Sequence, residues 1–334
     1  MSPDPTLATI WAFLIAFAVF AYIVMDGFDL GIGILFPAFE GKERDNAMNS
    51  IAPVWDGNET WLVLGGGGLM AAFPLAYAII MPALYPLIIA MLLALVFRGV
   101  AFEFRWRDPG HRKWWDRAFT IGSFVAALSQ GIALGALLQG ISVTDRAYSG
   151  GWFDWASWFS VLTGLSVVWG YALLGACWLI WRTDGTTQGH AYRLAARFGA
   201  LTILAIVLVS LATLTLSGNY FARWLTWPAI LWVAPVPVLV AGMALAFVAA
   251  LRRRAEIAPF LLALGLFLLS FVGLGVNIFP YIVPLRVTIL EAAAPGGSLG
   301  FMLVGAGIMI PIILTYTGWA YWVFRGKVAG EGYH

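Results

Sequence analysis

Seven ionisable residues lie in or beside the apolar stretches of the first third of the chain: Asp26, Asp29, Asp56, Glu59, Arg98, Glu103 and Asp116. A charged side chain is costly inside a bilayer, so such residues are candidates for function. Within two carboxylate pairs the spacing is three residues, which places each pair on one face of a helix. Carboxylates that converge on one membrane face would form a hydrated inlet, suited to the uptake of protons or cations.

A second interpretation gives the same residues structural roles. Asp56 would cap a helix, and Asp26 and Asp29 would begin a loop at Gly27. Arg98 would make one structural ion pair. An arginine about two turns inside a spanning helix requires a carboxylate partner. We expect that partner to be one of the carboxylates on the first two helices, with Asp29 as the first choice.

The composition indicates that lipid surrounds these residues. Of the 334 residues, 61% are hydrophobic and 11% are charged, well below the roughly 25% charged share of a soluble domain. A spanning helix needs about 20 mostly apolar residues. The sequence therefore predicts an all-α integral membrane protein, a single polytopic domain over 1–334 with about nine transmembrane helices, at approximately 8–28, 54–73, 83–104, 118–140, 157–181, 198–217, 227–250, 258–280 and 299–324.

The basic residues set the orientation of these helices. With nine crossings and the N-terminus outside, only Arg146, Arg223 and Arg286 lie on the outer side, and the basic residues of all other loops face the cytoplasm. Cytoplasmic loops of membrane proteins carry such an excess of Lys and Arg. Fusing the second and third helices would place the basic 42–44 and 105–117 loops on opposite faces. We therefore predict that the N-terminus is outside and the C-terminus is cytoplasmic.

The chain offers few ligands for a haem or a metal. The histidines His111, His190 and His334 fall in predicted cytoplasmic loops or the C-terminal tail, so no spanning helix carries the imidazole that usually holds a haem iron. The single cysteine, Cys177, has no partner for a disulfide or a metal cluster. We predict that this chain alone ligates no haem and no metal and contains no catalytic residue.

Several segments closely resemble subunit II of the bd-type quinol oxidases of bacterial respiratory chains. The matching segments are DGFDLGIG (26–33), NSIAPVWDGNETWL (49–62), FRGVAFEFR (97–105), WWDRAFTIGSF (114–124), LLQG (137–140) and PIILTYTGWAYW (311–322). The resemblance extends from the first helix to the last. It implies a complex of the bacterial inner membrane that oxidises ubiquinol or menaquinol, reduces dioxygen to water and takes its protons from the cytoplasm.

The resemblance also implies a partner and a fold. In that family two haems b, one haem d and the quinol-oxidising loop belong to subunit I, which is the expected partner. The expected fold is two four-helix bundles plus one peripheral helix, surrounded by membrane lipid and quinone, with no nucleic acid partner. The sequence does not decide whether a small single-helix accessory subunit is present or whether a structural quinone binds to this chain. It also does not decide whether the chain belongs to the cyanide-insensitive branch of the family.

The resemblance further assigns roles to individual residues. It marks the aspartate of the WDG motif as part of a proton uptake pathway, and we expect that pathway to contain Asp56, Glu59, Asp29 and Asp26. Asp29 also matches a family position linked with the integrity of the neighbouring haem region. We expect that region to be supported by Arg98, Asp116, Trp55 and Glu103.

Two other functions compete with this interpretation. A stand-alone secondary transporter would use the same carboxylates for proton coupling, but transporters usually contain an internal repeat and broken helices near the midplane. We detect no such repeat, and the carboxylates lie toward one interface. A purely structural partner that only stabilises subunit I stays open.

Overall fold

The computed structural model describes residues 3–328. Eight helical segments of the described chain are long and apolar enough to cross a membrane: Pro5–Ala38, Pro74–Arg107, Pro109–Gln139, Trp158–Arg182, Gly185–Leu216, Ala229–Arg252, Ala258–Ile278 and Gly296–Val323. The second predicted span, 54–73, is a shorter helix at Trp55–Ala72. It is less apolar because its first two turns contain Asp56, Asn58 and Glu59.

The α-helices are α1 Pro5–Leu35, α2 Gly41–Asn49, α3 Trp55–Ala72, α4 Pro74–Arg107, α5 Arg112–Gln139, α6 Trp158–Arg182, α7 Gly185–Leu216, α8 Gly218–Leu225, α9 Ala229–Val233, α10 Pro235–Arg252, α11 Ala258–Ile278, α12 Ile289–Ala292 and α13 Gly296–Val323. Two short antiparallel hairpins were not predicted. They pair β1 Val143–Thr144 with β2 Ala147–Tyr148, and β3 Tyr281–Val283 with β4 Val287–Thr288. Both hairpins lie in loops on the predicted outer side.

Packing divides the long helices into two four-helix bundles and one peripheral helix, as predicted. The first bundle contains α1, α3, α4 and α5, and the second contains α6, α7, α10 and α11. Helix α6 packs on both α1 and α5 and thereby joins the bundles. Helix α13 packs chiefly against α1 and α3 and is otherwise exposed. The site candidates of the first bundle therefore lie between the junction and the peripheral helix.

The two bundles meet where α1 and α6 approach backbone to backbone. A Cβ atom on Gly31 would lie 1.8 Å from the carbonyl oxygen of Tyr171, and one on Gly175 would lie 2.6 Å from the backbone of Gly31. Only glycine allows helices to approach so closely. On the adjoining turns of α1, Asp26 and Asp29 are fully buried.

Two predicted boundaries were wrong in ways that affect the site. Helix α1 continues to Leu35 instead of ending at residue 28, because its last apolar turns are buried against α5 and α6. No loop therefore begins at Gly27. Helix α4 begins at Pro74 instead of residue 83, since proline suits a first helical turn. Pro82 and Pro86 lie inside α4, as spanning helices tolerate.

Candidate functional site

Four of the predicted site residues form one buried group between α1, α3 and α4, which we call the carboxylate cluster: Asp26, Asp29, Glu59 and Arg98. The Nη1 atom of Arg98 lies 2.6 Å from Oε1 of Glu59 and 3.5 Å from Oδ1 of Asp26. Asp29 instead accepts a hydrogen bond of 2.7 Å from the amide of Asn58. The partners of Arg98 thus come from the expected carboxylates of the first two predicted helices. The choice of Asp29 among them was wrong, because Asn58 binds that carboxylate and Asp26 faces the guanidinium.

The start of α3 connects this cluster with the protein surface, on the side predicted to be cytoplasmic. Asp56 is exposed in the first turn of α3, and the side chain of Glu59, three residues later, is 28% exposed. The N-cap residue of α3 is Val54, and no side chain caps this helix. The interpretation of Asp56 as a helix cap is therefore wrong. Asp56 and Glu59 instead lead along one helix face from solvent to the buried Arg98.

The carboxylate cluster contains more acid than base. It holds three carboxyl groups and one guanidinium, and the side chain of Arg98 is 1% exposed. In the described chain, both oxygens of Asp26, Oδ1 of Asp29 and two nitrogens of Arg98 are buried without a hydrogen-bond partner. A surplus of buried negative charge is costly, and protonation of a carboxyl group removes it. The cluster is therefore suited to hold exchangeable protons.

Aromatic rings enclose the guanidinium of Arg98. The Trp55 ring stacks on Phe102 with ring centroids 5.1 Å apart. The Arg98 guanidinium carbon lies 5.8 Å from the centroid of Trp55 and 5.9 Å from that of Phe119. Cation–π contacts at these distances are attractive. Trp55 thus helps to hold Arg98 against the two carboxylates.

Asp116 belongs to a second ionic group, which we call the Asp116 cluster, where α4 ends and α5 begins. Its carboxylate binds Arg105 at 2.6 Å and Arg44 at 2.9 Å. Asp45 of α2 binds the same Arg105 at 2.8 Å and also binds Arg112. The sequence analysis assigned these arginines to topology alone and missed Asp45. No spacing could indicate this cluster, because α2 folds back onto residues about 60 positions away.

Glu103 lies apart from both clusters. Its carboxylate is 3.5 Å from Arg107 on the exposed face of α4, and the two side chains are 54% and 75% exposed. The structure therefore does not bring Glu103 together with the other predicted site residues.

Two of the three histidines lie on the predicted cytoplasmic side of the described chain. His111 precedes α5 and forms a 3.0 Å hydrogen bond with Asp108, which holds the pKa of Asp108 below its ordinary value. His190 lies inside α7 instead of a loop, 3.3 Å from Glu43, because α7 begins earlier than predicted. His334 lies outside the described residues. Within the described part of the chain, no three His, Cys, Asp or Glu side chains are arranged to hold a metal ion.

A buried uncharged group adjoins the carboxylate cluster and was also missed. We call it the Gln130 triad: Tyr22 on α1, Gln130 on α5 and Tyr171 on α6. Gln130 donates to the Tyr22 hydroxyl oxygen at 2.9 Å and accepts from the Tyr171 hydroxyl at 2.7 Å. On the other side of the cluster, Tyr321 donates to Asn58 at 2.9 Å. The sequence signal was a glutamine in the middle of an apolar helix.

Known proteins resemble this chain over nearly its whole length. The family model described as cytochrome bd terminal oxidase subunit II matches residues 7–324. The chain is 30% identical to cytochrome bd-I ubiquinol oxidase subunit 2 of Escherichia coli strain K12, with 97% of this chain and 96% of that protein covered. It is 27% identical to cytochrome bd ubiquinol oxidase subunit 2 of Bacillus subtilis, with 97% of each covered.

A solved structure supports the fold. The structure of bd oxidase from Geobacillus thermodenitrificans contains a chain that superposes with a TM-score of 0.76 at 20% identity, covering 96% of this chain and 99% of that one. Helix arrangement, sequence identity and the family match thus agree. The chain belongs to the cytochrome bd terminal oxidase subunit II family.

Proposed function

We propose that this chain acts as subunit II of a bd-type terminal oxidase that oxidises quinol and reduces dioxygen to water. Its relatives are named as second subunits of cytochrome bd ubiquinol oxidases. The partner is a subunit I that carries two haems b and one haem d, and the substrate is ubiquinol or menaquinol. The complex lies in the bacterial inner membrane. Family membership leaves the stand-alone transporter without support.

Within that complex, the carboxylate cluster supplies protons from the cytoplasm. One observation carries this assignment: the partly exposed Glu59 contacts the fully buried Arg98, which also contacts Asp26. Ionisable groups thus follow one another from the exposed first turn of α3 into the membrane interior. A purely structural ion pair would need neither the third carboxyl group nor the solvent-exposed Asp56.

Each residue of the pathway has a separate task. Asp56 exchanges protons with bulk water, and Glu59 receives them one helical turn further in. Arg98 stabilises whichever carboxylate is charged, while Asp26 and Asp29 hold protons in the interior. Reduction of dioxygen at the haem site of subunit I consumes the protons that these side chains deliver.

The other predicted site residues support the contact with subunit I. Trp55 holds Arg98 in place through its ring contact. Asp116 joins α2, α4 and α5 at the cytoplasmic face through Arg44 and Arg105. Glu103 projects from the exposed face of α4, where a neighbouring subunit can contact it.

The replacement Asp56→Asn tests proton supply. Asparagine keeps the shape of the side chain but cannot exchange a proton, so quinol-driven oxygen consumption should slow while haem content stays normal. Asp56→Glu should retain part of the activity. The matched control is Asp145→Asn, an exposed aspartate in the outer loop with positive φ, a conformation that asparagine also adopts.

A purely structural role for this chain gives a different result. In that case Asp56→Asn, like Asp145→Asn, would leave oxygen consumption and cytoplasmic proton uptake unchanged. Normal values of both quantities would therefore refute the proton pathway and leave this chain as a scaffold for subunit I.

A further inference from the structure

The Gln130 triad has a defined hydrogen-bond direction. The Tyr171 hydroxyl donates its one proton to Oε1 of Gln130, and Nε2 of Gln130 donates to the Tyr22 oxygen. A phenol has a single donor. Because the Tyr22 oxygen already accepts from Gln130, its own hydroxyl proton is directed away from Gln130. This proton needs another acceptor.

Asp26 is placed to be that acceptor. It follows Tyr22 by four residues on α1, so the two side chains lie on one helix face. Both carboxylate oxygens of Asp26 are buried and lack a hydrogen-bond donor within the described residues. A buried acceptor and a buried free donor in adjacent turns satisfy each other.

We propose that Gln130 is a positioning residue of the proton pathway, which orients the Tyr22 hydroxyl toward Asp26 and thereby sets how readily Asp26 releases its proton. The inference rests on the function proposed above for the carboxylate cluster. Glutamine suits this task because its amide donates and accepts at the same time. An amide does not release its own proton, so Gln130 orients Tyr22 without opening a second exit for protons toward α6.

A hydrogen bond to the charged form of a carboxylate favours that form. Loss of the Tyr22 donor should therefore raise the pH of half-protonation of Asp26 by about one unit. The titratable and charged groups that face Asp26 are Arg98 on α4, Glu59 on α3, Asp29 and Tyr22 on α1, Tyr171 on α6 and Tyr321 on α13. Replacing Gln130 leaves all of these groups in place.

The test is an infrared titration of the purified two-subunit complex. The absorption of the protonated Asp26 carboxyl is assigned as the band that disappears in Asp26→Asn. Gln130→Met and Tyr22→Phe should each raise the pH of half-protonation by about one unit. The double variant should show no larger shift than Tyr22→Phe alone, because Gln130 acts through the Tyr22 hydroxyl. Gln139→Met on the same helix, where Gln139 binds Ser157, should cause no shift.

Several results would overturn the inference. An unchanged titration in Gln130→Met, a full additional shift in the double variant, or an Asp26 carboxyl that does not titrate at all would each do so. If Gln130→Met fails to assemble, the result for Tyr22→Phe decides whether the inference stands. This replacement removes only one oxygen atom, and by itself it must shift the titration of the Asp26 carboxyl. The infrared measurement does not depend on turnover. Normal oxygen consumption in Asp56→Asn would therefore reject proton supply. Slow oxygen consumption in Asp56→Asn, together with an unchanged titration in Gln130→Met, would reject the present inference alone.

Discussion

Replacing Arg98 with leucine would leave Asp26 and Glu59 without their positive partner inside the first bundle. Removal of one member of a buried ion pair costs about 3–5 kcal/mol. Asp26 is fully buried and bears the whole of this cost, while Glu59, at 28% exposure, keeps part of its hydration. We therefore expect a loss of about 4 kcal/mol, which is large beside a total folding stability of about 5–15 kcal/mol.

The assay is thermal denaturation of the purified complex together with its haem content. Arg107→Leu is the matched control on the same helix, because Arg107 pairs with Glu103 at the surface, where ion pairs contribute about 0–1 kcal/mol. The double replacement of Arg98 and Asp26 by leucine should recover most of the stability, since apolar residues replace the buried pair and Glu59 can turn toward solvent. If Arg98→Leu is as stable as Arg107→Leu, the argument from buried charge is refuted.

Three further predictions concern the fold. Cysteines introduced into the 106–117 loop should react with a membrane-impermeant thiol reagent only from the cytoplasm, and those in the 142–156 loop only from outside. Gly31→Ala should lower the yield of the complex, because the added Cβ would collide with α6, whereas Gly242→Ala, which meets no neighbouring atom, should not. A hydrogen bond from Lys327 lowers the pKa of Glu256 from 4.5. This contact thus stabilises the segment around Lys327 above pH 4.5, and the stabilisation is lost as the pH falls through the lowered pKa of Glu256. Protease cleavage of that segment should therefore become faster at low pH.

Hydropathy was sufficient to predict the fold class, an all-α membrane protein with many spanning helices, and the distribution of basic residues predicts the orientation of the chain. These are local properties: a run of apolar residues partitions into lipid, and basic loops stay in the cytoplasm, whatever the helices pack against. The same reasoning identified all four members of the carboxylate cluster, because an ionisable residue in an apolar helix is conspicuous without any structure.

Which side chains meet was decided only by the tertiary structure. Arg98 pairs with Glu59 and Asp26 instead of Asp29, and the Asp116 cluster and the Gln130 triad each join helices that are distant in sequence. Such contacts depend on how far each helix is rotated about its axis and how closely helices approach. At the junction of the bundles, the approach is set by Gly31 and Gly175, and residue spacing within one helix contains no information about a second helix.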